Sequence, residues 1–547
     1  MNPPCLLAID CGTQSVRALL FDLRGNLLAK AQVAIDSYRS PEPGWMECAP
    51  EAFWQHLCAA CRQLWANTDM PPERIAGVVL TTQRAVPVTL DAALQPTRPS
   101  MIWLDQRRAA QAPRLPWWWE SALAAIGMRG AVRHFQHEAE VNWIAQHQPE
   151  AWARTAHVLL LSGYLNWRLT GRLADSVASQ VGYVPFDYRR GRWAAPWDWK
   201  WHALPVRRAM LPELLPAGAV LGTVTAEAAQ ASGIPAGLPV IAGAADKACE
   251  VLGAGCLTPG IGCLSYGTAA TFNTCTARYR EVTPFIPPYQ AAVPGHHNTE
   301  VQITRGFWMV RWFKEQFGQH EEKEAQARGV APENLFDALV GAVPPGAQGL
   351  MLQPFWNPGI KSPGPEAKGA IIGFGDVHTR AHMYRAILEG LAYALREAKE
   401  RTERRTGVPI TRLRVSGGGS QSDAVMQITA NVFNLPCERP HLYETSGLGA
   451  AIIASVGLGL HPGFAQAVQA MTRVGQVFAP EPAHARTYEA LYRRVYCRMY
   501  ERLQPLYREI RAITGYPPQE GTSIGPGDRS PDAEHRSPRP PADHQAE

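Results

Sequence analysis

The stretch LLAIDCGTQSVRALLFD, residues 6–22, sets one carboxylate, Asp10, and two hydroxyls, Thr13 and Ser15, at a tight turn between two apolar runs. Small turn residues leave backbone N–H groups free to point at an anion, and a hydroxyl can join them. A carboxylate can approach that anion only with a cation between them. The combination points to a nucleotide phosphate with its magnesium ion. A plain hairpin turn is the competing explanation for one such stretch, but the pattern returns. YGTAATF sets Gly267 and Thr268 between apolar runs about one domain's length downstream. Facing each other across a cleft, Gly12–Thr13 and Gly267–Thr268 would grip a polyphosphate from both sides.

Two more stretches carry chemistry. In VSGGGSQSD, Gly417, Gly418 and Gly419 follow an apolar run and let the backbone approach a flat or anionic ligand. In AGAADKACEVLGAG, Asp246 follows an apolar strand at the junction of the two repeats. A carboxylate there can take the proton of a hydroxyl that attacks phosphorus; the alternative is that it only caps the following helix.

The elements that position these groups read as α/β. The chain opens as a three-stranded meander out to about Ile35. A helix starts near Pro50, and RIAGVVLTTQ and VPVTLDAALQP read as strands. HVLLLSGYLNWRLTG reads as a helix stopped by Gly171, and GLPVIAGAADKACEVLGAG as strand, loop and helix. A long amphipathic helix runs to about Gly407, and SGLGAAIIASVGLG opens another, buried helix. Two similar halves meet near residue 255, each a meander followed by alternating helices and strands. The domains expected are 1–254, 255–513 and a disordered tail, 514–547, rich in Pro, Gly, Ser and charge.

With 547 residues, more than one core is needed. A net charge of +5 over this length, with no Lys/Arg cluster interleaved with aromatics, argues against a nucleic-acid partner. The uncharged stretches are broken by Pro and Gly or rich in small residues, which argues against a membrane span. Eleven scattered cysteines and no leader pattern fit a reducing cytoplasm. Cys58 and Cys61 form a CxxC without a second ligand cluster and read as core thiols. The Trp117–Trp119 cluster is expected to pack in a core or a subunit interface, and His378 and His382 to pack or cap near a helix start. A homodimer is possible.

IDCGTQSVRALLFD, PEPGWMECAPEAFW, IWLDQRRA, LTGRLADSVAS, AGAADKACEVLGAG, LSYGTAATF, RAILEGLAYALRE and VSGGGSQSD, in this order, resemble the FGGY family of carbohydrate kinases over nearly the whole chain except the tail. The resemblance implies two actin-like (ribonuclease H-like) domains with the active site in the cleft between them, and transfer of the γ-phosphate of ATP to a hydroxyl of a sugar or polyol. By the same resemblance, Asp10 helps hold Mg2+ through water, and Gly12, Thr13, Ser15 and Arg17 form the first phosphate loop. Gly267 and Thr268 form the second, and Asp246 is the catalytic base. Gly306, Gly417, Gly418 and Gly419 line the nucleotide pocket, and Trp103 and Asp105 border the sugar site.

LTTQRAVPVTLD should reach the acceptor. Glycerol kinases resemble it at Gln83–Arg84 but carry a glutamate where this chain has Ala85, and the xylulokinase pattern is absent. The subfamily stays between the two. Arg84 with Lys247 could favour an anionic acceptor such as a sugar acid; alternatively Lys247 pairs with Glu250 or another acid. Two readings compete with a kinase: a non-transferring ATPase switch of the same superfold, and an inactive metabolite sensor. The presence of Asp10, Thr13, Asp246 and Thr268 counts against loss of catalysis.

Overall fold

The computed structural model describes residues 4–330, 332–356, 359 and 363–516. The expected tail lies outside these residues from 517 onward; Thr514 ends a helix.

Two mixed sheets share one plan. The first holds β1 (Cys5–Cys11), β2 (Ser15–Asp22), β3 (Leu27–Ala34), β4 (Ile75–Thr82), β5 (Val220–Thr223) and β6 (Pro239–Ala245), in the order β5-β6-β4-β1-β2-β3. The second holds β7 (Ile261–Tyr266), β8 (Ala270–Thr276), β9 (Tyr289–Gln290), β10 (His297–Ile303), β11 (Arg412–Ser416), β12 (Cys437–Pro440) and β13 (Val474–Phe478), in the order β9-β10-β8-β7-β11-β12-β13. In the first, β1–β3 form an antiparallel meander and β4 and β6 run parallel to β1. In the second, β7, β8 and β10 repeat the meander, and β11 and β12 repeat the parallel pair. The halves read from sequence are therefore real repeats of one α/β unit.

Sequence explains the layering. Every residue of β1 is buried, as its unbroken apolar run requires of a strand covered on both faces. β3 at the edge alternates, with Ala31 facing in. Helices α1 (Pro50–Ala66) and α2 (Leu161–Thr170) cover one face of the first sheet through Phe53, Leu57, Leu165 and Leu169. α3 (Asp246–Gly253) and α6 (Thr445–Gly457) cover the other: Ala248, Leu252, Leu448 and Ile452 pack on Leu6, Ala8 and Phe21. α4 (Arg380–Thr406) and α5 (Asp423–Phe433) cover the second sheet. Val251 of α3 reaches that sheet's opposite face beside Cys263 and Cys275.

α3 and α6 thus form the layer between the sheets, and their backbones touch. A Cβ on Gly449 would lie 1.9 Å from the Cys249 carbonyl oxygen, and one on Gly253 1.9 Å from that of Thr445. Helix α6 lies between β12 and β13 of the second sheet in sequence, yet it completes the core of the first.

Three local expectations need correction. His157–Leu160 is a strand, and the helix begins only at Leu161; a short apolar run does not distinguish the two. No loop separates β6 from α3, because Ala245 is already the cap and Asp246 the first helical residue. Of the two settings expected for the Trp117–Trp119 cluster the core is ruled out for Trp117 and Trp118, which are 75% and 55% exposed on the helix Trp117–Ala125; the subunit-interface alternative stands as an expectation. Cys58 and Cys61 are buried free thiols of α1, as expected. His382 caps α4 through Thr379, also as expected. Among the described residues no helix is long and apolar enough to cross a membrane.

Candidate active site

The sheet registers gather the chemistry. Cys11 pairs with Thr82, and Thr82 with Ala245, so Gly12, Gln83 and Asp246 leave adjacent strands at one edge. Ligands in open α/β sheets bind at such carboxyl ends. In the second sheet Ser265 pairs with Ser416, so the Gly267 turn and the Gly417 loop also emerge together.

The first turn is closed by the Gly12 N–H donating to the Ser15 carbonyl at 3.1 Å. Tyr38 donates its hydroxyl to the Thr13 carbonyl at 2.6 Å. Gln83, expected at the acceptor, donates to the Gly12 carbonyl at 3.3 Å and accepts from the Thr13 hydroxyl at 3.2 Å. Trp103 donates its indole N–H to the same hydroxyl at 2.9 Å. Both side chains hold the Gly12–Thr13 turn. Asp105 is a scaffold carboxylate: it accepts the Met46 N–H at 2.7 Å and two bonds from Arg107, whose guanidinium lies between Trp45 and Trp143.

Asp10, at the end of β1, is 1% exposed, and its Oδ2 lies 3.1 Å from Arg17 Nη2. Arg17 does not stand free for phosphate, since Glu444 holds its other nitrogen at 2.7 Å and holds Lys30 at 2.5 Å. Burial raises the Asp10 carboxyl to about 6; Arg17 opposes the rise, and Asp246 and Glu444 add to it. Oδ2 accepts no well-formed hydrogen bond. A buried oxygen of this kind suits a hard divalent cation, which would also favour its ionised form.

Around the second turn, the Trp308 N–H donates to the Thr268 carbonyl at 3.2 Å. The neighbouring Phe307 ring stacks on Tyr266 with centroids 4.5 Å apart. Gly306, Gly417 and Gly419 are packed close: a Cβ on them would lie 2.3 Å from the Ala270 nitrogen, 2.8 Å from the Tyr266 carbonyl and 2.3 Å from the Phe307 ring. Gly417 also has φ +82°, which a side chain resists. Gly418 differs, with nothing within 4 Å of a Cβ. Its backbone faces open space, where a ligand could approach it.

Asp246 opens α3 at the seam. Its Oδ1 accepts the Lys247 N–H at 2.7 Å and lies 3.7 Å from Arg84 Nε. Burial raises its carboxyl above the ordinary range, against the pull of Arg84 and Lys247. The pairing alternative for Lys247 is the one observed: its ammonium binds Glu250 at 2.5 Å and Ser265 at 2.7 Å. Glu250 in turn accepts from Ser416, so the Lys247–Glu250 pair ties Ser265 of β7 and Ser416 of β11 to the helix that Asp246 opens. Arg84 makes a two-pronged ion pair with Glu300 of β10, at 3.1 and 3.2 Å.

Residues 5–253 match the FGGY family of carbohydrate kinases, N-terminal domain, and residues 262–458 its C-terminal domain. The chain belongs to the FGGY family of carbohydrate kinases. This FGGY kinase is 31% identical over 503 residues to the uncharacterized sugar kinase YgcE of Escherichia coli (strain K12), with 91% of this chain and 93% of that protein covered. It is 28% identical over 493 residues to the xylulose kinase of Lactococcus lactis subsp. lactis (strain IL1403), covering 89% and 95%. Among solved structures it superposes on the xylulose kinase from Rhodospirillum rubrum with a TM-score of 0.76 at 28% identity, covering 92% and 100%. The two-lobed α/β fold is that of these FGGY kinases. Neither the ATPase switch nor the sensor is needed to explain this FGGY kinase.

Sequence reasoning missed Glu300, Glu444, Tyr38 and Tyr289. Glu300 lies 216 positions from Arg84 and Glu444 lies 427 from Arg17, so no local spacing could link them. Only an acid beside the start of α6 hinted at Glu444.

Proposed function

We propose that the protein transfers the γ-phosphoryl group of ATP to a hydroxyl of a sugar or polyol, with Asp246 as general base. The observation that carries this reading is the common edge at which Gly12, Gln83 and Asp246 leave β1, β4 and β6. It puts an acid with a raised pKa beside a phosphate turn. Asp246 Oδ1 is occupied by the Lys247 N–H, which leaves Oδ2 for the proton of the acceptor hydroxyl. As that oxygen bonds to the γ-phosphorus, the bond to the β–γ bridging oxygen breaks and ADP leaves. The Gly12–Thr13 and Gly267–Thr268 turns and Gly418 hold the triphosphate from two sides through backbone N–H groups. Asp10 is the residue for a magnesium ion, which when bound offsets phosphate charge. Closure of the lobes keeps out water, which would otherwise accept the phosphoryl group. Relatives named xylulose kinase and glycerol kinase support a pentulose-like sugar or a small polyol as acceptor.

The test is Asp246→Asn. Phosphorylation across a panel of pentuloses, hexuloses, polyols and sugar acids should fall about 10³-fold, while calorimetric ATP affinity changes less than about threefold. Retained turnover, or lost ATP binding, rejects Asp246 as the base.

A further inference from the structure

We propose that Glu300 is a specificity-determining residue, acting through Arg84 to make the acceptor site select an uncharged polyhydroxy substrate over a sugar acid. This rests on the phosphoryl-transfer reading above.

Arg84 follows the strand that ends beside Asp246, and from sequence it counts as a free cation for an acceptor. The second lobe removes that freedom. Nη1 and Nη2 of Arg84 donate to Oε2 and Oε1 of Glu300 at 3.2 and 3.1 Å. The Tyr289 ring lies under the guanidinium, 5.2 Å from its carbon, and its hydroxyl has two acceptors in reach for its one proton, Asn273 Oδ1 at 3.2 Å and Glu300 Oε2 at 3.4 Å. The Arg84 and Glu300 side chains are 18% and 15% exposed, so solvent screens this pair little.

The charge balance then excludes an anion. Around Asp246 the cations Arg84 and Lys247 face three carboxylates, Asp246 itself, Glu250 and Glu300. An acceptor carboxylate would add a fourth. At an Arg84 N–H that Glu300 leaves unused its charge would meet Asp246 and Glu300 with no cation left to offset it, and displacing Glu300 would leave a poorly solvated carboxylate without its partner, which is strongly unfavourable. A hydroxyl needs no such exchange. It can accept from an Arg84 N–H not used by Glu300 and donate to Asp246. Glu300 therefore positions Arg84 as a neutralised donor. Because the pair spans the two lobes, the acceptor wall is complete only when they meet.

The experiment compares the full chain with Glu300→Gln and Glu300→Asp, using D-xylulose and glycerol as neutral acceptors and D-gluconate as the acidic one. The wild type should favour its better neutral acceptor over gluconate at least tenfold in kcat/KM. Glu300→Gln should move that ratio toward gluconate tenfold or more, and Glu300→Asp should largely restore it. A purely structural role would lower both acceptors together and leave the ratio within threefold, which overturns the proposal. A wild type that prefers gluconate overturns it without any variant. Calorimetric binding of D-gluconate without ATP supplies an arm independent of transfer: tighter binding to Glu300→Gln supports the proposal, and equal binding overturns it. If no acceptor is turned over, the kinase reading fails, and this binding arm still decides the role of Glu300.

Discussion

Trp103 donates its indole N–H to the Thr13 hydroxyl at 2.9 Å, joining the wall expected to border the acceptor to the turn expected to hold phosphate. Thr13 Oγ1 passes its own proton on to Gln83, which also holds the Gly12 carbonyl. Trp103, Gln83 and the Gly12–Thr13 turn are therefore one hydrogen-bonded unit.

Trp103→Phe removes this bond and leaves a smaller aromatic ring in the indole's place. One such bond contributes about 1 kcal/mol. The KM for ATP should rise about fivefold, although Trp103 is expected from sequence at the acceptor rather than the nucleotide. Steady-state kinetics at saturating acceptor measure it; a change confined to the acceptor KM would refute the coupling.

The crossing of α3 and α6 makes a second prediction. Gly449→Ala puts a methyl 1.9 Å from the Cys249 carbonyl oxygen, so the two helices must separate. Overpacking between backbones should destabilise by about 3 kcal/mol. Gly130→Ala is the control, since nothing lies within 4 Å of its Cβ, and it should be neutral or stabilise by up to about 1 kcal/mol. Urea unfolding of the two variants gives the comparison.

A third prediction concerns pH. Glu140 lines a cavity with room for about one water molecule, beside Ala85 and Tyr183. Burial raises its carboxyl to about 8 from the ordinary 4.5, and Glu138 and Asp105 add to the rise. The folded state then holds a proton that the unfolded chain has lost. The group's contribution is fully present below pH 4.5 and is lost as pH rises through about 8. Glu140→Gln should therefore have a flatter pH dependence, its Tm advantage over the wild type growing from pH 5 to pH 8. Asp10 and Asp175, both raised to about 6, act in the same sense but are common to both proteins and cancel. Equal Tm slopes would refute the shift.

Where a signal is local, sequence carried it. The apolar run of β1, the glycine stops after α2 and α4, and the repeated Gly-Thr turns each have a short-range cause: burial on both faces, a left-handed cap, a tight bend between paired strands. Lys247 with Glu250 was legible for the same reason, three positions apart on one helix. The partners of Arg17 and Arg84 were not. Both come from the other lobe, and their geometry exists only once two sheets have been docked. Gln83 and Trp103 show the same limit: position along the chain puts them near an acceptor, but which group each side chain bonds is a matter of three-dimensional reach.

Helix α6 bears on how the polypeptide is made. The first sheet exposes Leu6, Ala8 and Phe21 on the face that Leu448 and Ile452 later cover. A nascent chain released or stalled at residue 254 would have α3 on that face but would leave the part that α6 covers wet and sticky. The amino-terminal lobe can thus reach its native state only after most of the message has been translated, and severing the gene between the repeats should give two insoluble fragments rather than two modules.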